Sequence, residues 1–323
     1  MSDRFEPVQR LAVLGLGLLG GSVAWAARER RLAREVIGCG RREAPLRDAK
    51  ARGLVDHFTL DPAAAVAGAD LVVLATPVGS MAEVLRAAAA GLRRDALVTD
   101  VGSVKSVLAE TLPGLVPPGV AYIGAHPMAG SHEKGPEHAR TDLFEGATCV
   151  VTPVPGDSAA AVARVEGFWR ALGARVVQRD PTTHDCEVAW MSHVPHALAF
   201  AFARALGDAP PSAREVAGTG FRDFTRIARS DPELWAEILI ANRKAIEGPL
   251  ARVAKRLGDL ARALESGDVD TMDRWIAEAR AHLDAATNEN ERRSPSPLET
   301  VGVAAVKPGG FAAGAETRKP GRA

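Results

Sequence analysis

The chain has 323 residues, 46% of them hydrophobic, and its 40 basic and 40 acidic side chains leave no formal net charge. This is globular composition with enough chain for about two domains, and the balanced charge gives no electrostatic basis for nucleic-acid binding. No apolar run approaches the roughly 20 residues that span a bilayer, and the opening MSDRFEPVQR lacks the apolar segment of a secretory signal, so a cytoplasmic protein without membrane contact is expected.

The first half alternates short apolar runs with helix-forming segments. The runs are LAVLGLG (11–17), EVIGCG (35–40), DLVVLATP (70–77), ALVTDVG (96–102), AYIGAHP (121–127), ATCVVTP (147–153) and ARVVQ (174–178). Ala- and Arg-rich stretches such as SMAEVLRAAAAGL (80–92) lie between several of them. Strands alternating with helices predict an α/β fold, a doubly wound and mostly parallel sheet covered on both faces. From about residue 181 onward, long Ala/Leu/Arg stretches with few β-branched runs predict an all-α second domain. Past about residue 293, Pro, Gly, Ala and Ser dominate without a periodic apolar face, which predicts a flexible tail. The expected division is therefore 1–180, 181–293 and 294–323. Cys39, Cys149 and Cys186 are far apart and form no CxxC pair, so reduced thiols are expected.

LAVLGLGLLGGS places Gly15, Gly17 and Gly20 as G-x-G-x-x-G directly after the first strand and at the opening of a helix. Gly15 allows a tight turn, Gly17 lets the backbone approach a pyrophosphate, and Gly20 allows close helix–strand packing. The helix N-terminus offers free N–H groups to phosphate. Leu18, and Thr76 and Pro77 in ATPV, are read as further cofactor contacts. In a site that prefers NAD+, the second strand ends in an acid that binds the ribose hydroxyls. Here it ends GCGRRE, with Gly40 in the acid's place and Arg41 and Arg42 following. Two guanidinium groups favour a 2′-phosphate, so the cofactor is NAD+ or NADP+, with NADP+ or dual use favoured. The alternative is a solvated surface turn, with NAD+ bound without the acid.

In DVGSVK (100–105), Ser103 is expected at a helix start, at the carboxyl end of the sheet, where doubly wound folds bind ligands; an N-capping serine is the structural alternative. In AHPMAGSHEKG (125–135), Pro127 biases His126 toward extended geometry, which places it at a strand end, at the mouth of a loop, as a candidate proton acceptor. In THDCEVAWMSHVPHALAFAFA (183–203), His193 and His196 lie three apart on one helix face, and Pro195 between them should perturb the helix. H-x-x-H could suggest a metal, but no well-spaced third ligand is present, so no metal is expected. In GTGFRDFTRIA, Arg222 and Arg226 lie four apart and share a face. Asp223 could orient Arg226, and Phe221, Phe224 and Ile227 supply an apolar face. SDPELW then reads as a fresh helix start, capped by Ser230 or Asp231, with Pro232 in the first turn and Trp235 close behind.

Taken together, GLGLLGGS, ATPV, DVGSVK, HPMAGSHEKG, THDCEVAWMSHVPHALA, GTGFRDFTRIA and SDPELWAEILIANR, in this order, resemble the prephenate dehydrogenase family, which includes arogenate and cyclohexadienyl dehydrogenases. They span most of residues 10–245, and HPMAGS and GFRDFTRIA are the specific pieces. The resemblance implies a Rossmann-like N-terminal domain, a helical domain that forms a homodimer, and the conversion of prephenate to 4-hydroxyphenylpyruvate in tyrosine biosynthesis. It implies that His126 takes the proton from the ring 4-hydroxyl while C4 gives hydride to the nicotinamide. Ser103 would position the hydroxyl and the histidine, and Arg226 would grip a substrate carboxylate, with Arg222 a second substrate contact. His193 would line the site, Ser131 would face substrate from its loop, and Trp235 would stand near the pocket. A free histidine, with pKa about 6.5, offers a neutral imidazole at cellular pH, so the rate should fall as pH drops and His126 is protonated.

Two departures bear on specificity. Gly40 leaves NAD+ against NADP+ open. His132 follows Ser131 where several family members carry Glu. A nearby acid would favour the ammonium group of arogenate and a histidine would not, so prephenate is the expected substrate, with arogenate or dual specificity as the alternative. No amino-acid-binding regulatory domain follows the helical half, so tyrosine inhibition through such a domain is not expected, which leaves direct competition at the site open. A β-hydroxyacid dehydrogenase would present a helix-borne lysine after a Gly-rich entry, whereas GTGFRDFTR presents arginines and Lys244 lacks that setting. A non-catalytic NAD(P)-sensing module would need the glycine loop without His126, Ser103 and Arg226.

Overall fold

A computed structural model describes residues 5–130 and 133–293. They divide into two compact units whose boundary falls between Val253 and Ala254. The first unit opens with β1 (Val8–Leu14), α1 (Leu18–Glu29), β2 (Ala33–Cys39), α2 (Glu43–Ala51), β3 (His57–Thr59), α3 (Pro62–Val66), β4 (Leu71–Leu74), α4 (Val78–Ala88), β5 (Leu97–Asp100), α5 (Ser106–Thr111) and β6 (Ala121–Tyr122). Its six strands pair in parallel in the order β3-β2-β1-β4-β5-β6. The order reverses direction between β1 and β4, and open α/β sheets bind ligands outside the carboxyl ends at such a point.

Neighbouring residues of β1 bury into opposite layers. Leu11 and Val13 pack with α1 and α2 side chains such as Val23, Ala27 and Leu46. Ala12 and Leu14 pack with Ala65, Met81 and Leu85 of α3 and α4. Both faces are therefore covered, which is why the strands read as continuous apolar runs rather than alternating ones.

The run 121–127 is not one strand. β6 ends at Tyr122, and β7 (Gly124–Pro127) joins a second sheet with β8 (Thr148–Thr152) and β9 (Arg175–Gln178), in the order β7-β8-β9. β7 runs antiparallel to β8, with His126 opposite Val150, and β8 runs parallel to β9. A Cβ at Gly124 would lie 2.5 Å from Thr152 Oγ1, so this approach of β7 to β8 requires glycine. α6 (Ala159–Ala171) links β8 to β9.

Helices follow: α7 (Pro181–Val188), a π-turn over Ala189–His193, α8 (Val194–Ala205), α9 (Thr219–Arg226), α10 (Pro232–Ala241), α11 (Arg243–Ser266) and α12 (Val269–Arg293). Pro195 has no N–H to return to the preceding turn, and the π-turn directly before it is the expected perturbation. Among the described residues, no helix is long and apolar enough to cross a membrane. Cys39 and Cys149 are buried thiols and Cys186 is an exposed one.

Candidate active site

The glycine motif forms the turn from β1 to α1. Gly15 has φ +105°, and a Cβ there would meet Ala75 O at 2.6 Å; a Cβ on Gly20 would meet Gly15 O at 1.8 Å. Both positions therefore exclude side chains. A Cβ on Gly17 would meet no atom within 4 Å, so its glycine leaves open space beside the helix start rather than relieving a clash. Gly17 is the N-cap of α1 and no side chain caps the helix, which leaves its first N–H groups free for an anion. Leu18 opens α1 and is buried. Thr76, two residues past β4, has a buried Oγ1 with no hydrogen-bond partner among the described residues, and Pro77 is the N-cap of α4. A buried hydroxyl without a partner calls for one. The open cradle, the uncapped helix and this hydroxyl fit a bound dinucleotide at the switch point. Arg41 and Arg42 follow β2, are exposed, and enter no ion pair among the described residues; Arg42 is the N-cap of α2.

One strand further along, Asp100 ends β5 inside the protein. Its Oδ1 accepts from Tyr122 OH at 2.9 Å and from the Ala125 amide at 3.1 Å, and its Oδ2 accepts from the Gly102 amide at 2.8 Å and from Lys105 Nζ. Lys105 Nζ also donates to Ala125 O at 2.8 Å. The Lys105 and Asp100 side chains are 1% and 0% exposed. This buried pair holds the break between β6 and β7 and so sets the residue that follows it, His126.

His126 is the penultimate residue of β7 and is buried, at the strand end expected of it. Its Nδ1 lies 2.9 Å from His184 Nε2, and His184 Nδ1 lies 2.8 Å from Asp185 Oδ1. Asp185 Oδ1 also accepts the Lys105 amide at 2.7 Å and Oδ2 the Ser106 amide at 2.9 Å, so this carboxylate from α7 caps α5. Burial lowers the His126 pKa well below the ordinary histidine value, and electrostatic repulsion of a second positive group beside His184, Lys105 and His193 adds to the effect. The protonation expected near the free value is therefore displaced to lower pH. Burial raises Asp185, but hydrogen bonds from His184 and the Lys105 and Ser106 amides outweigh it and hold the carboxylate below its usual range.

The helical residues add a wall. Asn242, at the break between α10 and α11, donates through Nδ2 to Asp185 O at 2.8 Å, and the same Nδ2 lies 3.0 Å from His193 Nδ1. The amide group that donates to the carbonyl must also donate to His193 Nδ1, so the ring proton of His193 is on Nε2. Burial lowers the His193 pKa to about 4. His196 Nδ1 donates to Ser192 O at 2.8 Å. Its ring stacks on Trp235 with centroids 3.6 Å apart, and His193 meets the same indole edge-on at 6.0 Å. Burial lowers the His196 pKa, the bond to Ser192 opposes this, and the nearby Arg226 lowers it further. Asp231 caps α10 by accepting the Leu234 amide at 2.7 Å, with Pro232 in the first turn, and it also pairs with Lys134 of the loop after β7.

The structure thus packs His193 and His196 against Trp235, with His126 within electrostatic reach of His193 and Arg226 within electrostatic reach of His196. Other expectations need correction. Ser103 does not begin a helix: α5 starts at Ser106 with Lys105 as N-cap. Ser103 sits at a half-buried bend with no hydrogen bond among the described residues, because Asp185 caps the helix instead. Arg222 and Arg226 share α9, but Asp223 makes no ion pair with Arg226, and Arg222 reaches back to Ala217 O at 3.4 Å. Phe221 and Phe224 share an apolar face that packs on Phe202, and they stay 38% and 46% exposed. Ser131 and His132 lie outside the described residues. Among the described residues, no group of three or more His, Cys, Asp or Glu could hold a metal.

His184, Asp185, Lys105, Asp100 and Asn242 were missed from sequence. The signal was there for some. DVGSVK and THDCEVAW contain them, and an aspartate closing the otherwise buried strand LVTD needs a partner.

Residues 23–178 match the family described as prephenate dehydrogenase, nucleotide-binding domain, and residues 180–278 match prephenate dehydrogenase, dimerization domain. The chain is 32% identical over 290 residues to a cyclohexadienyl dehydrogenase from Zymomonas mobilis, covering 88% of this chain and 98% of that one. It is similar to the crystal structure of prephenate dehydrogenase from A. aeolicus in complex with hydroxyphenyl propionate and NAD+, at 27% identity and a TM-score of 0.79 over 86% of this chain and 98% of that one. It is also similar to the crystal structure of Synechocystis arogenate dehydrogenase, at 29% identity and a TM-score of 0.73 over 86% of this chain and all of that one (100%).

Proposed function

Because the chain belongs to the prephenate dehydrogenase family, we propose that it converts prephenate to 4-hydroxyphenylpyruvate and CO2 with reduction of NAD(P)+, in tyrosine biosynthesis. The observation that carries this reading is His126, a buried imidazole held neutral at the end of β7, which is tied through Ala125 to Asp100 at the carboxyl end of β5. A proton acceptor there needs a substrate with a proton to give as hydride departs, and the ring 4-hydroxyl of prephenate is one.

When bound, the nicotinamide supplies a hydride acceptor. His126 removes the hydroxyl proton as general base. Ser103 positions the hydroxyl, and Arg226 offers a planar fork to a carboxylate. His193, Trp235 and Arg222 line the substrate side, and Ser131, outside the described residues, is a further substrate contact. His193 presents Nε2–H to the site as a donor, because Asn242 occupies Nδ1. Loss of CO2 leaves an aromatic ring, which drives the reaction forward.

The cradle takes NAD(P)+ through Gly15, Gly17, Leu18, Gly20, Thr76 and Pro77. We read NADP+ or dual use from Arg41 and Arg42, exposed and unpaired after β2 where an acid would select NAD+. Alanine at both positions should raise KM for NADP+ and leave KM for NAD+ unchanged. Residues 1–180 form the cofactor domain and 181–293 the substrate and dimer domain; residues 294–323, expected from sequence as a tail, lie outside the described residues. Homodimer formation is supported by apolar residues at every seventh position: Leu250, Leu257 and Leu264 on α11, and Val269 and Ile276 on α12, each 38% exposed or more.

The similarity to a cyclohexadienyl dehydrogenase favours a second reading, dual use of prephenate and arogenate. Purified protein mixed with either substrate and either cofactor, followed by the absorbance of reduced cofactor, separates the two. A clearly higher kcat/KM on prephenate supports the first reading. Comparable values support the second, and no turnover in any combination contradicts both.

A further inference from the structure

We propose that His184 and Asp185 are positioning residues for His126: the Asp185 carboxylate fixes the tautomer of His184, and His184 in turn fixes that of His126, leaving the lone pair of the base on Nε2. This inference rests on the reading of His126 as the base.

With both imidazoles neutral, the chain of donors allows one assignment. Asp185 accepts two backbone amides, Lys105 on Oδ1 and Ser106 on Oδ2, and its Oδ1 also meets His184 Nδ1. With the carboxylate ionised it can only accept, so His184 carries its proton on Nδ1 and its lone pair on Nε2. That lone pair lies 2.9 Å from His126 Nδ1, which must donate to it. A neutral His126 then has its lone pair on Nε2, the one nitrogen left for a substrate proton. The opposite tautomer would set two lone pairs against each other in a buried place. Hydrogen bonds that outweigh burial keep Asp185 ionised, and burial keeps His126 neutral.

The pair also serves the charged stage. The substrate O–H bond breaks and its proton joins His126 Nε2, while the C4–H bond breaks and its electron pair leaves as hydride to the nicotinamide. The imidazolium so formed is disfavoured by burial and by Lys105. Its Nδ1–H points at His184 Nε2, and the charge is shared along the ring pair toward the Asp185 carboxylate. When the C–C bond to the carboxylate breaks, CO2 leaves and its electrons complete the aromatic ring, with the charge on the phenolate oxygen. That oxygen takes the proton back from His126 Nε2, so no proton is released overall.

The groups that face this line are Lys105 from the loop before α5, His193 and Asn242 from the helical elements, and Cys149 of β8. Among the described residues, none of these groups is hydrogen-bonded to the four imidazole nitrogens assigned above. Among the described residues, Asn242 bonds to the Asp185 carbonyl and to His193, not to His184.

The first test is nitrogen-15 NMR of the histidine-labelled wild-type protein at neutral pH. The expected spectrum shows His126 and His184 each protonated at Nδ1 and bare at Nε2. A His126 protonated at Nε2 would overturn the proposal, and this readout does not depend on turnover. The second test is kinetic. His184→Phe removes the acceptor and should lower kcat about 100-fold or more, within the range of a general base, with KM for prephenate within about threefold. His184→Gln keeps an oxygen acceptor and should recover at least about tenfold of that loss. An unchanged kcat in His184→Phe would overturn the positioning role. The expected tautomers in a protein without prephenate turnover would keep the geometry and refute the reading of His126 as base.

Discussion

Lys105→Met tests what holds β7 in place. The lysine and Asp100 side chains are almost wholly buried, at 1% and 0% exposure, and methionine fills nearly the same volume without the charge. The substitution leaves Asp100 with three neutral donors, Tyr122 OH and the amides of Ala125 and Gly102. It also takes from Ala125 O its bond to Nζ. Breaking one partner out of a buried ion pair costs about 3–5 kcal/mol, because a charge remains uncompensated. Asp100→Asn in the same background removes that charge but turns an amide toward the Gly102 N–H, at a cost of about 1–3 kcal/mol. The double variant should therefore be more stable than the two single losses added together, by about 2 kcal/mol or more. Equilibrium urea unfolding followed by tryptophan fluorescence measures all three variants. A loss below about 1 kcal/mol for Lys105→Met, or strict additivity in the double variant, would refute the view that this pair anchors the strand carrying His126.

Stability should fall in acid through the buried imidazoles. His193 is held neutral down to about pH 4, while an unfolded histidine binds its proton near about 6.5. The unfolded state gains protons first, so stability is full above about 6.5 and drains as pH falls toward 4, by about 3 kcal/mol from this residue alone. Urea midpoints that agree at pH 7 and pH 5 would contradict this. By the same sign, kcat/KM should hold level through the ordinary histidine range and fall only below it, because His126 is shifted downward. Gly17→Ala should leave the melting temperature unchanged, since no atom lies within 4 Å of the new Cβ, yet raise KM for the dinucleotide at least about tenfold by filling the phosphate approach. Leu257→Glu with Leu264→Glu should shift the protein from dimer to monomer in sedimentation, and an unchanged mass would remove α11 from the interface.

Much of the fold was legible because its signals are local. A glycine turn between an apolar run and a helix, apolar runs at regular spacing and the Asp-Pro start of α10 each depend on a few neighbouring residues. The split of 121–127 into β6 and β7 was not legible, because a single glycine inside an apolar run marks a bulge or a close approach without showing that the run divides between two sheets. What divides them is Asp100, about twenty positions earlier, and the fit of Gly124 against Thr152. β3 is three residues long, His57–Thr59, too short to show a period. The site divided in the same way. His126 stood out because Pro127 and the Gly/Ser loop mark it. His184 and Asp185 sit in an ordinary polar first helical turn, and only the tertiary approach of α7 to β7 and α5 turns them inward. Ser103 looked like a cap because its sequence position fits one, but a carboxylate from a distant helix took that role.

His126 acts as the base of a prephenate dehydrogenase, and His126→Asn tests that role most directly. Steady-state rates with prephenate and NAD(P)+ should show kcat lowered by about 100- to 10,000-fold, with KM for both substrate and cofactor close to wild type and the fold intact by circular dichroism. A folded His126→Asn protein that keeps kcat within about tenfold of wild type would fall outside the range of a general base and contradict the account.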